Sequence, residues 1–176
     1  MFLTNAYFQG LIYLPNLATG QPRVGIGQML VAVAETSLDY FIQEYEREFL
    51  VRLLGIRLYD AFTSGMSGQD KEKWERLRDT IFNATTPFPT SPAANYVYFQ
   101  LIRNGITTTT MKGEVTPEQD YAKNASPDNR LVMAWNAMLP MIRSIRQFIM
   151  DNKADYGDYV EPACWSEFRP INCMGI

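Results

Sequence analysis

The side chains that could do chemistry in this chain are mostly acids, and they lack the company acids need. Glu44 and Glu48 stand one helical turn apart, so two carboxylates share a face that could hold a metal ion. Carboxylate-bridged metal centres in helical bundles also want a histidine three residues after a glutamate, and the chain has no histidine. The same absence removes Ser-His and Cys-His nucleophile pairs, histidine-bearing zinc sites and the usual general base near neutral pH. Glu44 and Glu48 are therefore read as solvated ion-pair partners of Arg47 and Arg52, which follow them by three and four residues. Glycoside hydrolysis needs only two carboxylates, but no pair stands out, and no nucleophile, base and oxyanion donor can be assembled. The chain is not expected to be an enzyme.

The remaining candidates lead the same way. Asp151, Asp155, Asp158 and Glu161 cluster in NKADYGDYVE, but their spacing fits no EF-hand loop, and a solvated surface cluster is the expectation. Gly25-Ile26-Gly27 is half of a dinucleotide fingerprint without its third glycine, so a turn is expected. Arg143 and Arg146 could meet nucleic acid, although helix-dipole complementarity and solvation explain them equally well. A net charge of -3 does not suggest binding by phosphate neutralisation. Thr107, Thr108, Thr109 and Thr110 form a run open to modification, or a strand chosen for β-branched shape. Cys164 and Cys173 could pair, but a reducing cytosol and a chain with its own core favour two free thiols. No metal and no cofactor is expected.

These residues need a scaffold, and its centre is SLDYFIQEYEREFLVRLLGIRLYDAFTSG, from Ser37 to Gly65. Leu38, Phe41, Ile42, Tyr45, Phe49, Leu50, Leu53 and Leu54 recur at helical spacing, while Gln43, Glu44, Glu46, Arg47, Glu48 and Arg52 are assigned to a solvated face. Ser37 is the expected N-cap, and Gly55 ends the helix because glycine turns left-handed at little cost. Ile56, Tyr59 and Phe62 predict a second, shorter helix. Ser67 is expected to cap a surface helix near Gln69 to Phe82, striped with Trp74, Leu77 and Ile81. TTPFPTSP is a connector in which prolines forbid regular structure.

Ser91-Pro92 and Ser126-Pro127 each place a capping hydroxyl before a proline suited to the first helical position. The first opens a helix from about Pro92 to Asn104, rich in aromatic residues and stopped at Gly105. It carries no charge before Arg103, so it is central or covered by a neighbouring subunit. The second runs from about Pro127 to Asn152 with a seam of Leu131, Trp135, Met138, Ile142, Ile145 and Ile149. Pro140 lies inside it and predicts a kink near residues 136 to 140. Between these helices, the threonines and Met111-Lys112-Gly113 predict a hairpin or protruding loop.

The expected class is all-α: one domain, a compact bundle of four to five helices with a small β-hairpin or protruding loop in 105–125, and extended arms. The core spans 35–151, the N-terminal arm 1–34 and the C-terminal arm 152–176. Hydrophobic and charged fractions of 47% and 20% exclude wholesale disorder. The longest apolar run, Met29 to Ala34, is far short of a bilayer span, and no early basic region marks a signal peptide, so a soluble intracellular protein is expected. Arg23 is the only charge in the first 34 residues, so that arm must lie on its own domain or on another chain. Subunit or partner contacts are assigned to Phe2, Tyr7 and Phe8 in the first arm. The loop contributes Thr107, Thr108, Thr109, Thr110 and Lys112, and the tail Trp165, Phe168, Ile171 and Ile176.

Tyr45-Glu46, Phe49-Leu50, Leu53-Leu54-Gly55 and Leu58-Tyr59 together resemble the Y-E-x-x-F-L-x-x-L-L-G-x-x-L-Y signature of head-to-tail connector proteins of tailed bacteriophages, particularly those of gut Bacteroidetes, including crAss-like phages. Lys73-Trp74, the Tyr96 to Phe99 helix, Thr110 to Gly113 followed by Val115, and Ala134-Trp135-Asn136 follow in the same order, so the resemblance covers roughly residues 37 to 150. It implies a non-catalytic helical adaptor in the virion neck, assembled in the host cytoplasm. Such adaptors usually form a twelve-fold ring beneath the portal protein, extend the channel through which genomic DNA passes and dock tail or further neck proteins, away from any membrane. The two-cysteine tail has no counterpart in that pattern. The alternative is a non-catalytic helical binding or regulatory module of a bacterial or phage cytoplasm, holding a peptide in an aromatic groove. Loss of residues 1 to 27 separates uses of the arm: a folded monomer if it serves assembly, an unfolded domain if it covers the core.

Overall fold

The computed structural model describes residues 1–14, 38–68, 70–85, 87–105, 108–110, 113–115, 128–160 and 168–172. They are predominantly helical: α1 Leu38–Leu54, α2 Ile56–Gly65, α3 Lys71–Ile81, α4 Pro92–Gly105, α5 Asp128–Asp151 and the short α6 Lys153–Tyr156. Thr108–Thr110 (β1) pairs antiparallel with Gly113–Val115 (β2), Thr109 opposite Glu114. Single 3-10 turns lie at Asn5–Tyr7, Gly10–Ile12 and Gly157–Tyr159. No helix among the described residues is long and apolar enough to cross a membrane.

Helix α4 is the hub, packed against α1 on one side and α5 on the other. Its small residues Ala93 and Ala94 allow close approach, and Tyr96, Val97 and Tyr98 fill the space around them; all five are buried. From α1 come Ile42, Phe49, Leu50, Leu53 and Leu54, and from α5 Leu131, Met138, Ile142, Ile145 and Ile149, all in one apolar cluster. Each large side chain so buried contributes about 1.5–3 kcal/mol of transfer free energy. The first helical pair turns at Gly55, whose φ of 79° is open to glycine and strained for other residues. Its N–H donates to the Val51 carbonyl at 2.9 Å and its carbonyl accepts from the Tyr59 N–H at 3.0 Å, so one residue closes α1 and opens α2. At the start of α4, Ser91 Oγ accepts from the Ala93 N–H at 3.2 Å, as a capping serine should.

Several expectations need correction. Helix α2 buries Leu58 and Phe62, whereas Ile56 is 47% exposed, because the Gly55 corner rotates the apolar face by a step. Asp70, not Ser67, stands at the N-cap of α3, and no side chain caps that helix. Helix α5 runs without a break from Asp128 to Asp151 with Pro140 inside it, as its span was expected to. The core packing of Met138, Leu139 and Ile142 on either side of that proline offsets the one donor it lacks. The tail is not simply extended: α6 and the following turn fold back, Tyr156 is fully buried, and its hydroxyl donates to the Lys73 carbonyl at 2.6 Å.

The largest correction concerns the ends. Leu3, Tyr7, Phe8 and Ile12 belong to the same buried cluster as the helices, and the Phe2 ring lies 5.6 Å from Phe62 and 5.1 Å from Phe82. Phe168 is buried among Phe49, Tyr96 and Trp135. Phe2, Tyr7, Phe8 and Phe168 are thus used in packing on their own chain rather than held out for another, since burying them intramolecularly removes apolar area from water without the entropy of association. The rest of the predicted N-terminal arm, the caps at Ser37 and Ser126-Pro127, Gly25-Ile26-Gly27, Thr107, Lys112, Glu161, Cys164, Trp165, Cys173 and Ile176 lie outside the described residues.

Candidate interaction surfaces

The arrangement nearest to chemistry surrounds Tyr96. Its hydroxyl donates to Glu48 Oε1 at 2.9 Å and accepts from Gln100 Nε2 at 3.0 Å. Arg52, one turn after Glu48, pairs with the same carboxylate oxygen at 2.7 Å and sets its guanidinium 5.9 Å from the Tyr96 ring centre. Burial pushes the Tyr96 hydroxyl up to about 12, with the hydrogen bond to Glu48 adding to the rise and that from Gln100 opposing it. A phenol held protonated donates a hydrogen bond and does not act as a base near neutral pH. With one carboxylate already paired, the group joins α1 to α4. Glu44 is exposed on the same helix, and no cluster of three or more potential metal ligands occurs among the described residues. Asp155 instead pairs with Arg76 at 2.9 Å, and Asp151 accepts from Gln147 at 2.7 Å.

Glu46 behaves differently from the solvated residue expected of it. Its carboxylate is buried and accepts from the backbone N–H of Phe2, at 3.0 Å from each oxygen, and of Leu3 at 2.8 Å. The signal was present in the sequence: Ile42, Glu46, Phe49 and Leu53 are spaced four, three and four, which places Glu46 on the apolar stripe rather than beside it. A second clamp holds the following turn. Arg130 on α5 donates to the Leu11 carbonyl at 2.8 Å and to that of Tyr13 at 3.2 Å, with its guanidinium over Tyr98. Charge-assisted bonds to backbone fix a segment's path without demanding particular side chains from it.

The tail segment Phe168–Asn172 is held in an equivalent way on α5. Phe168 enters a pocket of rings, 5.6 Å from Phe49, 6.5 Å from Tyr96 and 6.2 Å from Trp135. The Arg146 guanidinium lies 5.8 Å from the Phe168 ring centre, and burial lowers its pKa. Arg146, for which nucleic-acid contact and dipole complementarity with solvation stood equal, has its planar cation over an aromatic face. Trp135 Nε1 donates to the Arg169 carbonyl at 2.8 Å. Asn136 grips the next backbone unit twice, its Nδ2 donating to the Ile171 carbonyl at 2.9 Å and its Oδ1 accepting from the Ile171 N–H at 3.1 Å. Ile171, expected to meet a partner, is half-buried here. Nothing in the spacing around Asn136 announced this role, since a lone asparagine on a helix is ordinarily solvated.

An apolar groove of about 360 Å³ opens between the first turns, the 88–91 connector and α5, lined by Leu11, Ile12, Pro89, Ala137 and Met141 among others. Phe88 on its wall is 71% exposed. Exposed apolar residues gathered in this way mark a surface suited to another molecule, and sequence reading missed it because Phe88 sits among prolines with no period to read. Of the residues predicted to meet partners, Phe2, Tyr7, Phe8 and Phe168 are brought onto the core, Ile171 is held on Asn136, and Thr108, Thr109 and Thr110 form β1. The chain matches no protein-family model, no curated protein and no solved structure.

Proposed function

We propose that this protein is a virion structural component of the neck of a tailed bacteriophage: a head-to-tail connector subunit forming a ring on the portal, with the DNA channel at its centre and tail proteins docked below. The observation that carries the reading is the Tyr45 to Tyr59 pattern. Its members Phe49, Leu50, Leu53, Leu54 and Leu58 are buried, Glu46 clamps the N-terminal backbone and Gly55 makes the corner. Likeness in such a stretch speaks first for a shared helix, corner and helix, and only through that architecture for a shared use.

In this reading the bundle of four to five helices forms the wall of the ring, the Thr108 to Val115 hairpin projects towards a neighbour, and the groove beside Phe88 receives a sister copy. A ring needs heterologous contacts that close, so an exposed apolar patch must meet a different face of the next subunit. Light scattering after size exclusion, and electron microscopy of the purified chain with its portal, test the proposal. Rings of about a dozen copies seated on the portal are expected. A strict monomer in the presence of portal overturns it.

A further inference from the structure

We propose that the face of α5 bearing Trp135 and Asn136 is a peptide dock that reads main chain, and that its ligand in an assembly is the Phe168–Asn172 segment of a second copy of this chain. In the isolated chain its own segment fills the dock. Three observations point there. The contacts include one anchoring ring, Phe168, and three hydrogen bonds to the backbone of Arg169 and Ile171, the division of labour by which extended peptides are recognised. Pro170 is exposed and sets the direction of the segment. A residue before proline is confined to extended conformations, proline fixes its own φ, and it has no N–H to leave unbonded in the gap between the Arg169 carbonyl and the Ile171 amide.

Lastly, Phe168–Asn172 adopts no helix or strand, and the Asn136 grip depends on backbone alone. The same segment from another copy makes the same contacts, as in any exchange of identical elements between protomers. The dock stands without the ring proposed above; that its assembled occupant is a neighbouring copy rests on that reading. Trp135 and Asn136 are adjacent, yet both face the segment, because the indole reaches sideways to the Arg169 carbonyl while the shorter amide meets Ile171.

The test uses the full chain carrying Phe168→Ala, which empties the anchor pocket, and a labelled, end-capped peptide of residues 168–172 titrated by fluorescence anisotropy. Saturable binding is expected, weakened about tenfold or more by adding Asn136→Ala, which removes two backbone bonds, and abolished when the peptide's phenylalanine is alanine. A folded Phe168→Ala chain that does not take the peptide, or binding indifferent to Asn136→Ala, overturns the dock. Should Phe168→Ala fail to fold, a wild-type chain with a protease site introduced between Val160 and Phe168 is cut after folding. Release of the fragment with the helices intact and peptide rebinding supports the dock, whereas unfolding on release shows the segment to be an integral part of the core and overturns it. Mixing Asn136→Ala chains, whose tail is sound, with Phe168→Ala chains, whose dock is sound, should give hetero-pairs in native mass spectrometry that neither forms alone. Peptide binding without such pairs overturns the second-copy occupant. It leaves ring formation on the portal to be judged by its own experiment.

Discussion

Replacing Glu46 separates a solvated acid from a structural clamp more sharply than any other change. On a solvated face, Glu46→Gln shifts stability by no more than about 0.5 kcal/mol. In the structure the side chain is 8% exposed and accepts from the Phe2 and Leu3 amides at 3.0 and 2.8 Å. Hydrogen bonds to a charged group contribute about 1.5–3 kcal/mol each. Glutamine keeps one acceptor but turns an N–H group towards a second donor, so one bond is lost and about 2 kcal/mol with it. Alanine removes both and also the packing of the side-chain stem, for about 4–6 kcal/mol. For a chain of this length 2 kcal/mol corresponds to a fall in Tm of about 4–8 °C. Urea unfolding at constant m-value gives the free energy, and hydrogen exchange at Phe2 and Leu3 shows whether the loss is local. Wild-type stability for both variants, with exchange unchanged, would refute the clamp and the docking of residues 1–14 that depends on it.

Other expectations follow from single contacts. Gly65→Ala puts a Cβ on the Trp74 indole, and overpacking of that kind costs about 1–3 kcal/mol, read as a lowered urea midpoint; an unchanged midpoint would displace Trp74 from its assigned seat. Tyr96 has a folded pKa raised to about 12 from 10.0, so its contribution is complete below pH 10 and is lost as pH climbs towards 12. Tyr96→Phe should accordingly flatten the loss of stability across that interval, and an identical slope would place the ring in water. Arg76→Ala breaks a pair with Asp155 whose side chains are 51% and 36% exposed, and should change stability by less than about 1 kcal/mol. Gly55→Ala, forced to a φ of 79°, should cost about 1–2 kcal/mol, measured the same way.

The periodic helices were legible because each buries one stripe against one neighbour: Trp74, Leu77 and Ile81 in α3, and Leu131 to Ile149 in α5, lie where their spacing puts them. Gly55 and Ser91 were legible because corners and caps restrict residue type. The destination of the ends was not. Phe2, Tyr7, Phe8 and Phe168 have the composition of surface to be covered, and composition cannot say whether a chain covers itself or a sister. Glu46 has the charge of a solvated residue and the position of a buried one, and in the fold its position prevails. Asn136 and Asn95, the latter buried and donating to the Ala134 carbonyl at 2.8 Å, act through main chain, and no pattern of neighbouring residue types encodes that.

Because Phe168 completes a ring pocket begun by Phe49 and walled by Tyr96 and Trp135, that pocket cannot close until residue 168 has been made. At synthesis rates of about 5–20 residues per second, Phe49 would wait some six to twenty-four seconds for its last neighbour to leave the ribosome. Once Tyr96 and Trp135 have also emerged, the nascent helices present an unfilled aromatic socket to whatever shares the polysome, including the Phe168 segments of chains just ahead.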